Sequence, residues 1–437
     1  MRSSAPGLSA RVASGERHIG RFALEAGAIA LVFLALSSWF AFRFVNLGTV
    51  WDLWFGADIP RVITWIDRPF YLDRWHLHPL AIVPLKAYGL LLAVLRIPSS
   101  PRLLPIHALP TIIIVAVCIV ASARVITATT DTKVPPFTIA AGLAGFGSML
   151  AFAPVPECHA AGGALLLLQA ALVHAWLNAR SAGHPTRGRL RIGILVAGLA
   201  ATGFTLSNLL PALIVASPVV ISNRASARII VPALIAVIGL GALALGLRVP
   251  MPNVIKGWIN YEMEWTYLPT PTTLRESFTG LVTYQFGVPA AQLSTWKNPL
   301  DGTTVMSITA RGPSALHFMA LLAWAAGIVL WWGTRTRTVA DKQLVILTSL
   351  AGASLVAFHS VYGSYESYVT SPHVWPYVAI PGCLAYVSSR RHGLRLPAGL
   401  IVATLILSLV QSATGLRSLN GLPSQPGHVT NAGTTVR

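Results

Sequence analysis

Apolar runs long enough to cross a bilayer recur from end to end of this 437-residue chain, separated by short polar stretches. A membrane-spanning helix needs about 20 predominantly apolar residues. Runs of that kind lie at 22–42, 104–123, 137–153, 160–178, 229–247, 314–332, 344–360, 373–388 and 397–414. The interval 192–222 is too long for one untilted helix and carries Ser207, Asn208 and Pro211 at its middle, so it predicts two short helices joined by a turn. The run 22–42 follows Arg2, Arg11, Arg17 and Arg21 and has no small-residue cleavage site after it, which makes it a retained first helix and not a removed signal peptide.

The polar stretches orient these runs. Lys and Arg in short loops favour the cytoplasmic side. The Arg-rich N-terminus, Arg180 with Arg187, Arg189 and Arg191, Arg224 with Arg228, Arg335 with Arg337 and Lys342, and Arg390 with Arg391 and Arg395 are therefore expected inside. Each interval between them must hold an even number of crossings. If 80–95 crossed, Arg180 to Arg191 would fall outside, so that run is expected to lie along the outer interface as a juxtamembrane helix. The expectation is an all-α polytopic protein of the plasma (inner) membrane, with about eleven spans and a cytoplasmic N-terminus. Residues 1–416 form a single transmembrane domain with a first outer loop at 46–103 and a large outer loop at 248–313. The Gly, Ser, Pro, Asn and Thr-rich tail 417–437 is expected to be disordered.

Composition agrees with the lipid bilayer as partner: 54% of residues are hydrophobic, 11% are charged, and the mean hydropathy is +0.64. A net charge of +18 would suit nucleic acid, but the cations are dispersed between apolar runs and are accounted for as topology signals, so no nucleic-acid partner is expected. Cys118, Cys158 and Cys383 are odd in number and far apart, which gives neither a disulfide framework nor a zinc site. The predicted topology gathers Asp52, Asp58, Asp67, Asp73, Glu157, Glu262, Glu264, Glu276, Asp301 and Glu366 on the outer face, out of 14 carboxylates in all. Carboxylates contribute little to the positive-inside rule, so their clustering is a separate sign of a working outer face.

The first outer loop carries short motifs in a suggestive order. Ala57-Asp58-Ile59-Pro60-Arg61 resembles the Asp-Glu-Pro-Arg motif of aminoarabinose transferases that modify lipid A, and His78-Pro79-Leu80 resembles the His-Pro element of protein mannosyltransferases. Pro156-Glu157 ahead of an apolar run is similar to the acidic residue on the second outer loop of the same enzymes. Together these resemble the GT-C membrane glycosyltransferases, over roughly residues 20 to 215. Ile59 departs from the second acidic position of the aminoarabinose motif. The resemblance implies inverting transfer from a polyprenyl-phosphate-linked sugar to a glycan, lipid or protein acceptor at an extracytoplasmic site.

Such a reaction needs a carboxylate within hydrogen-bond reach of the acceptor hydroxyl and cationic groups to hold the phosphate. Asp58 is the expected general base, its ordinary alternative being a loop-ordering carboxylate beside Arg61. Arg61 would bind phosphate or hold Asp58 in place. His76 and His78 would share one side of an extended segment, as phosphate or metal ligands or as interfacial anchors. Glu157 suits substrate or a divalent ion, and equally suits a helix N-terminus. In the last outer loop Glu366 and His373 are candidates for sugar or phosphate contact, and Tyr365 and Tyr368 read as interfacial belt residues. In the large outer loop, Trp258, Tyr261, Glu262, Glu264 and Tyr284 suit either sugar faces or the headgroup layer. A divalent metal stays open, because none of these residues has diagnostic ligand spacing. A transporter or flippase for a lipid-linked or polar substrate is the alternative; it would place ionisable residues near the middle of several helices. A glycan polymerase or ligase is a third reading, which a more basic outer loop would favour.

Overall fold

The computed structural model describes residues 8–46, 59–67, 78, 80–98, 101–184, 188–222, 270–297, 304–361 and 368–422. Its helices, in chain order, are α1 (Leu8–Asn46), α2 (Ile59–Asp67), α3 (Ile82–Val94), α4 (Leu104–Thr130), α5 (Pro136–Ala144), α6 (Gly147–Phe152), α7 (Cys158–Ser181), α8 (Gly188–Phe204), α9 (Leu209–Ile221), α10 (Pro271–Leu281), α11 (Ala315–Gly333), α12 (Val339–Val361), α13 (Trp375–Arg391) and α14 (Arg395–Ser418). A hairpin of β1 (Ala291–Lys297) and β2 (Thr304–Ala310) lies between α10 and α11, paired antiparallel with Ala291 opposite Ala310. Among the described residues α1, α4, α7, α11, α12 and α14 are long and apolar enough to cross a bilayer. Helices satisfy every backbone hydrogen bond within the segment, which is what a lipid surround demands. The chain is a mostly helical integral membrane protein.

Helix α7 is the hub, packed against α4, α8, α9, α12 and α13. In its most apolar stretch 78% of residues are buried, against 22% in α1 and in α11, so the latter two present most of their surface outward. Polar contacts fix which helix ends lie together. At one end Arg124 of α4 donates to Glu25 of α1 (3.0 Å) and to the His18 carbonyl (3.3 Å). There too, His174 of α7 meets Thr129 of α4 (3.2 Å) and Asp341 of α12 (2.8 Å), and Arg391 of α13 donates to the Thr130 carbonyl (2.9 Å). At the opposite end lie Glu157, His78 and His373. We call these the basic end and the histidine end.

Helices α2 and α3 belong to the histidine end. Val62 and Ile66 of α2 are buried with Ala81, with Leu85 and Leu92 of α3, and with Cys158 at the start of α7. Each such side chain contributes roughly 1.5–3 kcal/mol of burial. The two helices touch backbone to backbone at Gly89, where any Cβ would strike the Ile66 carbonyl. A glycine is what that approach permits.

Helix α3 lies within the run 80–95 that charge parity had set aside as non-crossing, and α8 and α9 flank a 3-10 turn at Leu206–Asn208 within 192–222. Asn208 holds that turn by donating to the Ala201 carbonyl (2.9 Å). One expectation is corrected. The run 137–153 is two helices, because Phe146 adopts an extended backbone (ψ 143°) and packs its ring on Phe286 at 6.3 Å, so the helix restarts at Gly147. Within 248–313 a short β-hairpin accompanies the helices of an otherwise all-α chain, and Ser418, whose hydroxyl accepts from the Ala291 amide (2.7 Å), ties it down. The last helix ends at Ser418, followed by a 3-10 turn at Leu419–Gly421. The expected span 229–247 and the tail from 423 onward lie outside the described residues.

Candidate functional site

Three separate segments bring polar side chains together at the histidine end. Glu157 is the N-cap of α7, in an extended conformation (φ −139°, ψ 139°), and its carboxylate accepts from the amides of Cys158 (2.7 Å) and His159 (3.4 Å). A helix N-terminus leaves its first amides without intrahelical partners and carries partial positive charge, so a carboxylate is stabilised there although only 4% exposed. Its backbone carbonyl accepts from Thr111 of α4 (3.3 Å).

His159, on the first turn of α7, places Nε2 3.6 Å from Glu157 Oε1 and Nδ1 3.0 Å from Nε2 of His373. The two imidazoles meet edge to face with centroids 4.7 Å apart. His373 Nδ1 in turn lies 3.4 Å from Ser207 Oγ, in the turn between α8 and α9. One set of proton positions satisfies all three contacts. Ser207 donates to His373 Nδ1, His373 Nε2–H donates to His159 Nδ1, and His159 Nε2–H faces the Glu157 carboxylate. The chain of donors runs in one direction, from hydroxyl to carboxylate.

His78 reaches the cluster from the first loop. Its ring stands 5.8 Å from that of His159, and its Nδ1 donates to the Phe204 carbonyl at the end of α8 (2.7 Å). That bond places a proton on Nδ1, because a carbonyl can only accept. The segment is pinned beside it by the Leu80 amide on the Gly203 carbonyl (2.8 Å).

His373 is held by its turn and not by a long helix. The 3-10 turn Ser371–His373 precedes α13, and Gln285 donates to the Ser371 carbonyl (2.7 Å). Gly163 of α7 lies directly against the backbone of Pro372. His373 is fully buried, and burial together with the neighbouring His159, His359 and His78 holds its imidazole well below the usual histidine range. Beneath it Phe152, Tyr368, Tyr284 and His317 form a ladder of edge-to-face rings, with successive centroids 5.0, 5.1 and 5.3 Å apart. Burial raises the Tyr284 phenol to about 12 and that of Tyr368 well above its ordinary value, so both stay neutral. Tyr368 is therefore a core residue and not a belt residue, because it packs between Phe152 and Tyr284.

Of the residues expected at the site, His78, Glu157 and His373 come together. Asp58, His76 and Glu366 lie outside the described residues; Arg61 lies in the first half of α2, and its side chain is outside them. His159 is the residue whose role sequence reasoning missed, although it follows Glu157 by two positions in an otherwise apolar run. Among the described residues no group of three His, Cys, Asp or Glu side chains is arranged to hold a metal ion. His159 and His373 turn nitrogens toward each other, and Glu157 faces the opposite nitrogen of His159, so the set does not converge on one point. Beside Glu157, the space enclosed by α2, α3 and α4 is about 10 Å³, room for one water at most.

The fold and this polar end define a mostly helical membrane protein with a histidine and carboxylate cluster at one end of its bundle. Compared with protein-family models, with curated proteins and with solved structures, the chain matches none.

Proposed function

We propose that the chain is a membrane glycosyltransferase of GT-C type, moving a sugar from a polyprenyl-phosphate donor to a glycan, lipid or protein acceptor on the outer face of the plasma (inner) membrane. The observation that carries this reading is the meeting of His78, Glu157, His159 and His373 from the first loop, the start of α7 and the turn before α13. The motif-bearing loop and the polar cluster thus share one end of the bundle. Asp58 takes the acceptor hydroxyl proton as that oxygen bonds to the anomeric carbon; the bond from that carbon to the phosphate oxygen breaks, and the lipid phosphate leaves with the electron pair. Arg61 offsets the charge that develops on the phosphate. The closed space beside Glu157 requires α2 and α3 to shift for a lipid-linked donor to enter. In this orientation the N-terminus is cytoplasmic and the bundle has about eleven crossings.

The test is transfer of radiolabelled sugar from a panel of polyprenyl-phosphate donors by purified protein in lipid, comparing wild type with Asp58→Asn. Donor-dependent product that is lost in the variant supports the reading; normal transfer by the variant removes Asp58 as base. No product with any donor moves the weight to a transporter or flippase. Its assay is substrate flux in liposomes.

A further inference from the structure

A groove of about 540 Å³ opens between α7, α9 and α12 at the basic end, well away from the histidine cluster. Its volume is that of a small-molecule site. Its walls are of two kinds. Leu177, Pro218, Val339, Ile346 and Leu347 are its apolar lining, and Arg180, Ser181 and Gln343 its polar lining. Ile346 and Leu347 lie about two turns into α12, roughly 10 Å from its start, so the apolar wall descends into the membrane band. Arg180 is exposed, and its guanidinium stacks over the buried Trp176 ring at 5.2 Å, which fixes the cation at the rim.

Among the described side chains the exposed cations at this end outnumber the exposed acids. Arg180, Arg189, Arg335 and Lys342 are exposed at this end. Of the carboxylates there, Glu25 is engaged by Arg124 at 2.9 Å, Asp341 by His174 at 2.8 Å, and exposed Asp131 faces Arg391 at 3.7 Å. A soluble anion would gain nothing from the hydrocarbon wall, and a zwitterionic lipid, whose choline offsets its phosphate, gains less from a basic rim than an acidic lipid does. We propose that this groove binds one acidic glycerophospholipid from the adjacent leaflet, with its phosphodiester at Arg180 and an acyl chain along Leu177, Pro218, Ile346 and Leu347. Acidic headgroups are attracted to basic segments at a membrane surface. The proposal is independent of the glycosyltransferase reading, since it involves neither the histidines nor the first loop.

The test uses the full-length protein, delipidated in detergent and titrated with dioleoyl-phosphatidylglycerol, with dioleoyl-phosphatidylcholine and with inorganic phosphate. Binding is read by native mass spectrometry and by the shift in unfolding temperature. One phosphatidylglycerol adduct is expected on wild type, with a larger thermal shift than phosphatidylcholine gives and none from phosphate. Arg180→Gln should weaken that adduct about fivefold. Arg335→Gln, at the same end but off the groove, should bind as wild type does. Ile346→Trp, which fills the apolar half, should also lose the adduct, and it keeps the proposal testable if Arg180→Gln fails to fold. Equal binding of both lipids, equal losses in Arg180→Gln and Arg335→Gln, protection by phosphate alone, or a protein dimer in place of the lipid adduct would each overturn the proposal.

Discussion

Adding one methyl group at Gly163 should destabilise this protein, although the same change in an open helix stabilises. A glycine inside a helix costs about 1 kcal/mol relative to alanine, so Gly→Ala at an unhindered helical position is favourable by up to that amount. At Gly163 the new Cβ would lie 2.7 Å from the Pro372 carbonyl carbon and closer still to its oxygen. The obstacle is backbone, which cannot swing aside as a side chain does, so the turn would have to retreat by roughly 1 Å to restore van der Waals contact. Overpacking of that kind costs about 1–3 kcal/mol, which outweighs the helical gain. The retreat also carries His373 away from His159, stretching a 3.0 Å contact beyond hydrogen-bond length. Unfolding can be followed with a thiol-reactive dye, because Cys118 and Cys158 are buried and unlinked and become reactive when the bundle opens. Gly399→Ala, in α14 with nothing within 4 Å of the added Cβ, is the control and should be neutral or stabilising. If Gly163→Ala unfolds at or above the wild-type temperature, the packing of α7 on the 371–373 turn described above is wrong.

Asp341→Ala should cost about 1–3 kcal/mol, since it removes a buried acceptor from His174 at 2.8 Å and from the Thr338 amide at 2.8 Å. In a double-mutant cycle His174→Ala should cost much less once Asp341 is gone; additive losses in denaturant titrations would mean the two do not interact. Stability should fall as pH drops below the ordinary histidine range of about 6.5, because the unfolded chain takes up a proton that buried His373 resists. The sign follows from the depressed value: the contribution is intact above the unfolded pKa and is lost on acidification. His373→Gln should flatten the melting-temperature profile between about pH 6.5 and 5, and an unchanged slope would assign the acid sensitivity to other groups.

Hydropathy made the long helices legible, since α4, α7, α12 and α14 coincide with unbroken apolar runs. Counting cations assigned 80–95 to the surface, where hydropathy alone would have had it cross. The break at Phe146 left no such trace, because it depends on Phe286, far along the chain. The hairpin depends likewise on Ser418. At the site, Glu157 and His373 stood out as polar residues flanking apolar runs. Their meeting through His159 did not, because a contact between positions 159 and 373 has no periodicity in sequence. The buried pair of His174 and Asp341 escaped notice for the same reason: each sits alone in its own helix, and only packing pairs them.

The bond from Arg43 of α1 to the Leu419 carbonyl (2.6 Å) joins the first described helix to the turn that ends the last. Arginine here serves as a C-terminal cap from a distant helix. During synthesis α1 enters the membrane long before residue 419 exists, so Arg43 must wait through the insertion of the intervening helices for this acceptor. Glu25 of the same helix, by contrast, meets Arg124 as soon as α4 follows. One end of α1 can therefore be secured early in biogenesis and the other only after α14 has been made, which makes its docking a late step of assembly and residues 418–419 a poor place to truncate or fuse the chain.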